Sequence, residues 1–538
     1  MKWFFDSFSS SFASLFLVTW LVSAVLDYCR YEATWQLKEY RLDKFLDFVS
    51  TKQGKKFLRT AVFGFRFLLA LLLLFWPINF IKLPPPGLIF GFLLIDVLLQ
   101  MWATHFCHWP RPRPTAKALG LLFLSLLVEF SIVFLSQNLS FILIFYVLRF
   151  YLLSFLVWVL SFPTKLAKKI LIMLATKKIN SFSKLRVIGI TGSFGKTTVK
   201  TFLSHILSAK FNVIATPGNI NTEVGVAKFI LEQDWRQVDI FIVEMGAYRV
   251  GEIKLICDMV RPSIGILTAI NAQHLSLFGS LPNIQQAKYE LLRSLPSSGL
   301  AITNSDNPFC REFLSDLPCQ VQTFGIDKSF NPTYCIFGIE SVPGQVHFKG
   351  RYKDKQEKIV LPTIGEHQVF NAAPCLLVGY FLGIGEDVIR HQLQSLKNPD
   401  QALSITSYGQ CTILNDTYNS NPDGFRAALQ VLASFPSERR RLVVTRGMME
   451  LGEKSEDLHE RIGEEISFVA DELIVTTPDF YEPMKRGVNN KYHTSVKLET
   501  SPEALLQFLV SQKETKAVIL FENRLAPFIY KEIFGHSF

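Results

Sequence analysis

The sequence predicts a multi-span α-helical membrane region followed by an α/β region. In the α/β region, a central P-loop domain with a mostly parallel sheet precedes a Rossmann-like C-terminal domain. Three observations support this fold class. Long apolar runs fill the first third of the chain, and apolar runs of strand length alternate with helical patterns after about residue 184. A glycine-rich turn joins the first of these strands to a helix.

Composition excludes several classes of protein. Hydrophobic residues make up 49% of the 538 residues and charged residues 19%, against ~25% charged in typical soluble domains. A wholly soluble, disordered or collagen-like chain is therefore excluded. The eight cysteines form no CxxC pair, so we expect reduced thiols without a disulfide framework or a zinc site. The formal net charge of +10 suits a membrane surface or a phosphate-rich partner. No nucleic-acid-binding module accompanies it.

Five apolar runs in residues 1–161 approach the ~20 residues that a helix needs to cross ~30 Å of hydrocarbon. They are Ser11–Asp27, Ala61–Ile81, Leu88–Phe106, Lys117–Ser136 and Leu139–Ser161. Basic residues concentrate in Tyr28–Thr60, in His108–Ala116 and after Ser161. The positive-inside rule therefore predicts a multi-pass protein of the cytoplasmic membrane, with everything after Ser161 in the cytoplasm. The first run also fits a signal peptide.

Four charged residues lie inside these runs: Arg66, Asp96, Glu129 and Arg149. Charge within hydrocarbon is costly and is usually paired, so we expect ion pairs between helices, for example Asp96 with Arg149. Such pairs either hold the bundle together or line a polar groove for a lipid headgroup. Arg66 lies near the cytoplasmic end of its run, where its side chain also fits snorkelling.

The glycine-rich turn has the context of a phosphate loop. Arg186–Ile190 predicts a buried strand, the turn reads Thr191-Gly-Ser-Phe-Gly-Lys-Thr-Thr198, and a helical pattern follows. Gly192 and Gly195 let backbone N–H groups turn toward phosphate oxygens, and the helix N-terminus adds positive potential. The sequence misses the literal pattern GxxxxGK[ST] by one residue, because Ile190 occupies the position of the first glycine and Gly189 precedes it.

Side chains near the turn indicate ATP and Mg²⁺. Lys196 would reach the β- and γ-phosphates, and the Thr197 hydroxyl would hold the metal. Glu244 ends an apolar strand and would point into the ligand crevice as a second metal ligand. His274 follows another strand, where it is either a ligand or an ordinary polar loop residue.

These motifs resemble those of the Mur ligases, which build the stem peptide of peptidoglycan, over about residues 184–538. The resemblance rests on segments in matching order, which are Gly189–Thr198, Thr216–Thr222, Glu244–Ala247, Thr268–His274, Ala287–Glu290, Gly365–His367, Asp416–Pro422 and Gly447–Gly452. The run Asp416-Thr-Tyr-Asn-Ser-Asn-Pro422 points to the branch that adds D-alanyl-D-alanine. The apolar runs and the basic residues after them predict a membrane region at 1–161 and a basic linker at 162–183. The resemblance implies a central ATP-binding domain at 184–402 and a C-terminal domain at 403–538.

The resemblance also implies roles for single residues. Lys196, Thr197 and Thr198 would grip the ATP phosphates and one Mg²⁺, while Glu244 and His274 would hold a second. Lys288 would be the family's carbamylated lysine, although a lysine there also fits a salt bridge on a helix. The remaining expected contacts are Asn304, Asp306, His367 and Asn371 around the nucleotide, and Asp416, Tyr418, Asn419 and Asn421 toward ATP or the incoming dipeptide.

The chain departs from the family pattern at several points. The usual N-terminal domain for the UDP-sugar substrate is missing, and the membrane region stands in its place. The stretch Asn398–Leu403 lacks the arginine that usually opens the third domain. The late K-G-S-R-like motif is Phe521-Glu-Asn-Arg524, and the family's H-N pair is His367-Gln368.

The resemblance implies an ATP-dependent peptide ligase with an acyl-phosphate intermediate. It would join D-alanyl-D-alanine to a muramoyl tripeptide, UDP-linked or lipid-linked, with membrane lipid as a further partner. Alternatives are the same chemistry on another anionic polymer, a transport-coupled ATPase, or a binding protein without catalysis. A transporter would show inverted repeats or broken spans, and the sequence shows neither.

Overall fold

The computed structural model describes residues 10–50, 54, 55, 57, 66, 86–106, 111–136, 140–342, 344–396, 403–417, 420–488 and 494–535. The predicted run Ala61–Ile81 therefore lies outside the described residues, apart from Arg66. The chain divides into two compact units, Met1–Ala167 and Lys168–Phe538, which are described separately.

The first unit is helical. Its helices are α1 (Ser10–Leu37), α2 (Leu42–Ser50), α3 (Pro86–Phe106), α4 (Ala116–Ser136) and the first part of α5 (Ser140–Ile179). Among the described residues, two helical segments are long and apolar enough to cross a membrane, Ala116–Leu135 and Tyr146–Ile179. Leu93–Trp102 is a shorter apolar segment.

Two predicted boundaries differ from the structure. The helix that contains the first apolar run continues to Leu37, because hydropathy marks where apolar residues end and not where a helix ends. The segment predicted as a basic linker is helical as far as Ile179. Its lysine, leucine, isoleucine and alanine residues are good or tolerated helix formers, and no glycine interrupts them.

A buried ionic network occupies the interior of the first unit. Arg149 pairs with Glu129 and Asp27, each at 2.9 Å, while Arg66 pairs with Asp27 at 2.8 Å and Asp96 at 3.0 Å. The side chains of all five residues are at most 3% exposed. The predicted pairing of Asp96 with Arg149 is therefore wrong, because Asp27 lies between the two arginines and Glu129 takes the other side of Arg149. Both arginines are paired with carboxylates. This favours the interpretation that the charges hold the helices together over a polar groove for a lipid headgroup.

The second unit contains two sheets with helices on both faces. The first sheet has the order β2-β3-β1-β4-β5-β6-β7-β8-β9 and is parallel except for the pairs β7–β8 and β8–β9. Its strands are β1 (Arg186–Thr191), β2 (Val213–Ala215), β3 (Ile240–Glu244), β4 (Ile264–Leu267), β5 (Leu300–Asn304), β6 (Gln320–Gly325), β7 (Tyr334–Val342), β8 (Gln345–Tyr352) and β9 (Lys355–Leu361). The helices of this part are α6 (Lys196–Leu207), α7 (Glu223–Glu232), α8 (Glu252–Val260), α9 (Leu275–Phe278), α10 (Leu281–Arg293), α11 (Pro308–Arg311), α12 (His367–Phe381) and α13 (Glu386–Gln394).

The second sheet has the order β10-β11-β15-β12-β13-β14, and only the pair β10–β11 is antiparallel. Its strands are β10 (Ser404–Tyr408), β11 (Cys411–Asp416), β12 (Arg441–Thr445), β13 (Glu472–Val475), β14 (Ser495–Leu498) and β15 (Val518–Glu522). The helices are α14 (Pro422–Ala433), α15 (Ser455–Ser467), α16 (Pro478–Gly487), α17 (Pro502–Gln512) and α18 (Pro527–Phe534). The predicted mostly parallel first sheet and Rossmann-like second sheet match this arrangement.

Each sheet separates two apolar cores. On the first sheet, α6 and α12 cover one face, while α7, α8, α10 and the end of α5 cover the other. Two further clusters lie on the two faces of the second sheet. Strands that are buried on both sides read as continuous apolar runs, which explains why their sequences lack alternation.

Candidate active site

The phosphate loop follows β1 and leads into α6. Gly195 has φ +79°, and a Cβ atom there would lie 2.4 Å from Asn371 Oδ1. A Cβ atom on Gly192 would lie 1.9 Å from Thr268 Oγ1. Both positions therefore require glycine, because the backbone passes too close to neighbouring side chains for any other residue. The predicted turn is present, and it is packed against residues from two other segments.

Lys196 lies inside this loop. Its Nζ donates hydrogen bonds to the carbonyl oxygens of Gly192 at 2.8 Å and Ser193 at 3.3 Å. Burial lowers the pKa of Lys196 and the charge of Lys200 adds to this, while Glu244 opposes it. Phosphate oxygens would replace the carbonyl oxygens as acceptors of this ammonium group. Thr198 lies two residues after Lys196, in the same first turn of α6.

Glu244 is the centre of a polar cluster beside the loop. One carboxylate oxygen accepts from Thr197 Oγ1 at 3.0 Å and from Lys200 Nζ at 2.8 Å, and the other accepts from Asn221 Nδ2 at 3.0 Å. Lys200 also donates to the Gly218 carbonyl and is 4% exposed. The sequence analysis missed Lys200 and Asn221. Lys200 stands one helical turn after Lys196, which was the available signal.

The oxygen donors of this cluster fit Mg²⁺. A carboxylate with a threonine hydroxyl supplies the hard ligands that Mg²⁺ takes, and phosphate oxygens and water complete such sites. Among the described residues, no group of three or more His, Cys, Asp or Glu side chains surrounds a common point. We therefore expect Glu244 and Thr197 to hold the ion together with the nucleotide.

Replacing Lys200 by methionine removes the cation that neutralises Glu244 inside the protein. We expect the metal-free variant to lose about 3 kcal/mol of stability, because a buried carboxylate loses its partner. Mg²⁺ should stabilise this variant more than the wild type, since Lys200 no longer competes for the same oxygen. Thermal unfolding with and without MgCl₂ measures both effects, with the exposed Lys228→Met as control. Equal Mg²⁺ effects in Lys200→Met and wild type would contradict the competition.

Lys288 approaches the phosphate loop from α10. It is 4% exposed, and its Nζ donates to the Gly192 carbonyl at 3.1 Å. Burial, with a further contribution from the charge of Lys196, lowers the pKa of Lys288 well below its usual value. None of the carboxylates described in the structure pairs with it, so the salt-bridge alternative has no partner there. A neutral amine at this position is the form that reacts with CO₂.

His274 contacts the C-terminal part of the second unit. It has φ +60°, its Nδ1 pairs with a carboxylate oxygen of Glu450, and its ring packs edge-on against Tyr248 at 4.9 Å. Burial lowers the pKa of His274, while Glu450 opposes this shift. The structure thus gives His274 a partner that the sequence did not indicate, and the backbone carbonyl of Glu450 accepts from the Ser276 amide.

Asn304, Asp306 and Asn371 are three of the four residues predicted around the nucleotide. Asn304 and Asp306 hold loops at the carboxyl edge of the sheet. The Asn304 side chain accepts from the Asp306 amide at 2.8 Å, and Asp306 accepts from the amides of Ile326 and Asp327. Asn371 is buried against Gly195 and donates to Gln368 at 3.0 Å.

His367 begins α12 in an apolar setting. Burial lowers the pKa of His367 to about 4, so its ring is neutral at pH 7. Its Nε2 lies 3.1 Å from Gln368 Nε2, while Nδ1 is buried without a hydrogen-bond partner among the described residues. An unpartnered ring nitrogen can accept or donate one further hydrogen bond, and the place of His367 beside the nucleotide stays a prediction.

Asn271 joins the phosphate loop to the C-terminal sheet. Its backbone N–H donates to Ser193 Oγ at 3.0 Å. Its side-chain Nδ2 donates to Asn421 Oδ1 at 3.2 Å and Asp423 Oδ2 at 2.7 Å. Asn421 also caps α14 through the Gly424 amide. This bridge brings the segment around Asn421 to the loop, whereas Tyr418 and Asn419 lie outside the described residues.

Asp416 and Glu522 form an acid pair. They are register partners at the carboxyl ends of the parallel strands β11 and β15. Burial raises the pKa of Asp416, and burial together with the Asp416 charge raises the pKa of Glu522 well above its usual value. Ser420 donates to Glu522 at 2.7 Å. Two neighbouring buried carboxyl groups resist losing both protons, because the second negative charge would be repelled by the first, so we expect the pair to retain a shared proton.

The acid pair predicts a pH dependence of stability. Because the folded-state pKa of Glu522 is raised, the folded protein holds a proton that the unfolded chain releases above about pH 4–5. Stability from this group is therefore present at low pH and is lost as the pH rises through the folded pKa. At pH 8 we expect the free energy of unfolding of Glu522→Gln to exceed that of wild type by more than about 1 kcal/mol. At pH 5 the two proteins should be nearly equal in stability. Thermal unfolding at both pH values measures the difference. Parallel pH curves for the two proteins would contradict a shared proton.

Comparison with known proteins decides the family. Residues 190–379 match the Mur ligase middle domain, and residues 403–522 match the Mur ligase glutamate ligase domain. The chain carries the middle and C-terminal domains of the Mur ligase family. The phosphate loop, Glu244 and Lys288 thus lie in the Mur ligase middle domain, and the acid pair lies in the C-terminal domain.

Named relatives point to one branch of the Mur ligases. The chain is 30% identical over 283 residues to the UDP-N-acetylmuramoyl-tripeptide–D-alanyl-D-alanine ligase of Bacillus subtilis. The aligned region covers 52% of this chain and 60% of that protein. For the ligase of the same name from Escherichia coli the identity is 32%, over 52% of this chain and 61% of that protein. The chain therefore spans about three fifths of the length of these relatives.

Solved structures agree with the assignment. MurF from Acinetobacter baumannii superposes with a TM-score of 0.60 at 27% identity, covering 68% of this chain and 79% of that chain. MurF ligase from Thermotoga maritima, solved in complex with ADP, gives a TM-score of 0.59 at 27% identity, covering 68% of this chain and 82% of that one. The predicted fold of the second unit is confirmed.

Proposed function

We propose that this chain is a membrane-attached, ATP-dependent amide ligase of peptidoglycan precursor synthesis. It joins D-alanyl-D-alanine to a muramoyl tripeptide through an acyl phosphate. The observation that carries this proposal is the Asn271 bridge, because it holds the segment around Asn421 beside a phosphate loop that contains Lys196. The relatives named above supply the substrate class.

The reaction has two steps. A terminal carboxylate oxygen of the muramoyl peptide attacks the γ-phosphorus of ATP, and ADP leaves. The amine of the dipeptide then attacks the acyl carbon, phosphate leaves, and the nitrogen loses a proton. No serine or cysteine nucleophile is needed, since ATP activates the carboxylate.

The residues of the chain have distinct tasks in these steps. Lys196 binds the phosphates and spreads the charge of the transferring phosphoryl group. Bound Mg²⁺ would supply further charge neutralisation on the phosphates. Glu244 and Thr197 would hold that ion, and Lys288, as a carbamate, would add a negative oxygen at the same edge of the sheet. Asn271 and Asn421 hold the two domains together so that amine and acyl group meet in a fixed geometry.

Membrane attachment is part of the proposal. The two long apolar helical segments and the buried ionic network of the first unit support it, because charges inside a bundle of this kind are expected to be paired. An active site attached to the cytoplasmic face of the bilayer could bind either a UDP-linked or a lipid-linked muramoyl peptide.

Phosphate release from ATP tests the proposed function. We expect detergent-solubilised protein to release phosphate when muramoyl tripeptide and D-alanyl-D-alanine are both present, and to form the joined product detected by mass. Lys196→Ala should lower the rate by at least about 1,000-fold, since it removes a charge from the phosphoryl transfer, while Lys228→Ala should retain it.

The form of the substrate distinguishes the outcomes. Product from UDP-muramoyl tripeptide shows that the usual UDP-binding domain is dispensable, and product only from the lipid-linked form assigns the substrate to the membrane. Phosphate release that neither substrate stimulates, or that survives Lys196→Ala, would contradict the ligase proposal and favour a different ATPase.

A further inference from the structure

Helix α5 is longer than a membrane span requires. It contains 40 residues, which is ~60 Å at 1.5 Å per residue, about twice the ~30 Å thickness of hydrocarbon. After Arg149 the next basic residue is Lys165, and four more lysines follow before Ile179. The part of α5 that extends beyond the hydrocarbon is therefore its C-terminal part. Pro163 precedes this part inside the helix, and proline is the residue at which a helix bends, so the segment after Pro163 can turn from the bilayer normal toward the membrane surface.

The segment of α5 from Lys168 to Ile179 has two apolar faces. Ala175 and Ile179 are buried in the core of the middle domain, and Leu171 and Ile172 pack against the same core. On the opposite side Ile170, Met173 and Leu174 are 46%, 61% and 47% exposed. One face of the segment thus holds the domain, and the other presents large apolar side chains without a cover from the described residues.

Two lysines flank the exposed apolar side chains. Lys169 and Lys177 are exposed, and each stands four residues from Met173 along the helix, so the three lie in one row. Neither lysine has a carboxylate partner among the residues that the structure describes. We call the face formed by Lys169, Ile170, Met173, Leu174 and Lys177 the outer face of α5. Apolar side chains with lysines beside them are typical of helices in the interface of a bilayer.

The neighbouring edge of the middle domain is also basic. The end of α5 is fixed there, because Lys178 donates to the carbonyls of Leu231 and Gln233 and Asn180 donates to that of Met259. Cationic side chains occur at the same edge: Lys184 lies before β1, Arg186 is the first residue of β1, and Arg261 and Arg293 lie before β4 and β5. Arg261 and Arg293 line one cleft of about 520 Å³ together with the ion pair of Lys254 and Asp258, so the cleft carries a net positive charge. The phosphate loop lies at the opposite edge, after the carboxyl end of β1.

We propose that the outer face of α5 lies in the headgroup region of an anionic lipid bilayer. Ile170, Met173 and Leu174 enter the boundary between headgroups and acyl chains, and Lys169 and Lys177 reach the lipid phosphates. The basic edge of the middle domain then lies next to anionic lipid, where each Lys or Arg strengthens binding about fivefold. This inference rests on the proposed membrane attachment, and it directs the phosphate loop away from the bilayer.

Lipid quenching of a probe on the outer face tests the inference. The full chain carrying Met173→Cys is labelled with an environment-sensitive fluorophore and placed in nanodiscs that contain doxyl-labelled lipid, with the labelled wild-type chain as background. Val250→Cys is the control, because Val250 is an exposed apolar residue (42%) that follows β3 at the opposite edge.

We expect quenching at position 173 to be at least threefold greater than at position 250. It should be at least twofold greater in phosphatidylglycerol than in phosphatidylcholine, and Lys169→Gln with Lys177→Gln should remove that difference. Equal quenching at positions 173 and 250 would overturn the inference. A blue-shifted emission at 173 without lipid quenching would also overturn it, since a protein would then cover the face.

The readout is separate from ligase activity. Quenching requires no substrate, so it reports on the lipid contact even if the chain ligates nothing. Loss of the contact together with Lys196-dependent phosphate release overturns this inference and leaves the proposed function intact.

Discussion

Lys288→Arg is expected to abolish ligation while leaving the fold intact. A carbamate forms when a neutral amine nitrogen attacks CO₂ and loses a proton, and burial, with the charge of Lys196, lowers the pKa of Lys288 and so favours the neutral form. An arginine at this position stays charged and cannot form the carbamate. We expect product formation to fall at least about 1,000-fold, because the variant lacks the negative group that we propose to order the metal.

CO₂ provides an independent readout of the same prediction. Protein prepared in CO₂-depleted buffer should lose activity, and added bicarbonate should restore it in the wild type but not in Lys288→Arg. Labelling with ¹³CO₂ should give a carbamate signal in the carbon NMR spectrum that grows as the pH rises, since the neutral amine is the reactive form. Lys228→Arg is the matched control. Full activity of Lys288→Arg in the absence of CO₂ would show that Lys288 acts as an ordinary buried lysine.

The phosphate loop and its surroundings illustrate what the sequence predicts well. Gly192, Gly195 and Lys196 are close in sequence, and their spacing alone specifies strand, turn and helix. Glu244 was predictable because an acid at the carboxyl end of a parallel strand points toward the ligand crevice. Both arguments use local pattern and the geometry of a parallel sheet.

Contacts between distant segments were harder to predict. Lys200 and Asn221 meet Glu244 from two other segments, and Glu450 reaches His274 across 176 residues. Such partners depend on how loops fold back, which no residue spacing encodes. The same limit explains Glu522, which stands in a motif that departs from the family and lies beside Asp416 only because β11 and β15 are neighbours.

The pairing of Arg149 shows the limit most clearly, and it leads to a second large effect. Its partner Asp27 lies at the end of an apolar run and was not counted among the intramembrane charges. Glu129 accepts from Trp20 at 2.8 Å and from Tyr28 at 2.6 Å in addition to Arg149. The rotation of the helices and their order in the bundle decide which acid pairs with which base. The hydropathy of a single run gives no information on the rotation or the order.

Arg149→Met is therefore expected to unfold the first unit at ordinary temperature. It leaves Glu129 and Asp27 buried with one cation fewer, and breaking a buried ion pair from one side costs about 3–5 kcal/mol. The double variant Arg149→Met with Glu129→Gln removes the stranded charge as well, and Gln retains an acceptor for Trp20. We expect it to recover at least about half of the lost stability.

The measurement is the temperature at which half of the detergent-solubilised protein remains monodisperse by size-exclusion chromatography. Arg113→Met is the control, because the side chain of Arg113 is exposed. We expect the order Arg113→Met, double variant, Arg149→Met from most to least stable. If Arg149→Met behaves like Arg113→Met, the network does not hold the helices together. The double variant could also be no more stable than Arg149→Met. The loss of stability would then come from packing around the guanidinium group and not from stranded charge, because replacing the carboxylate by an amide relieves only a charge effect.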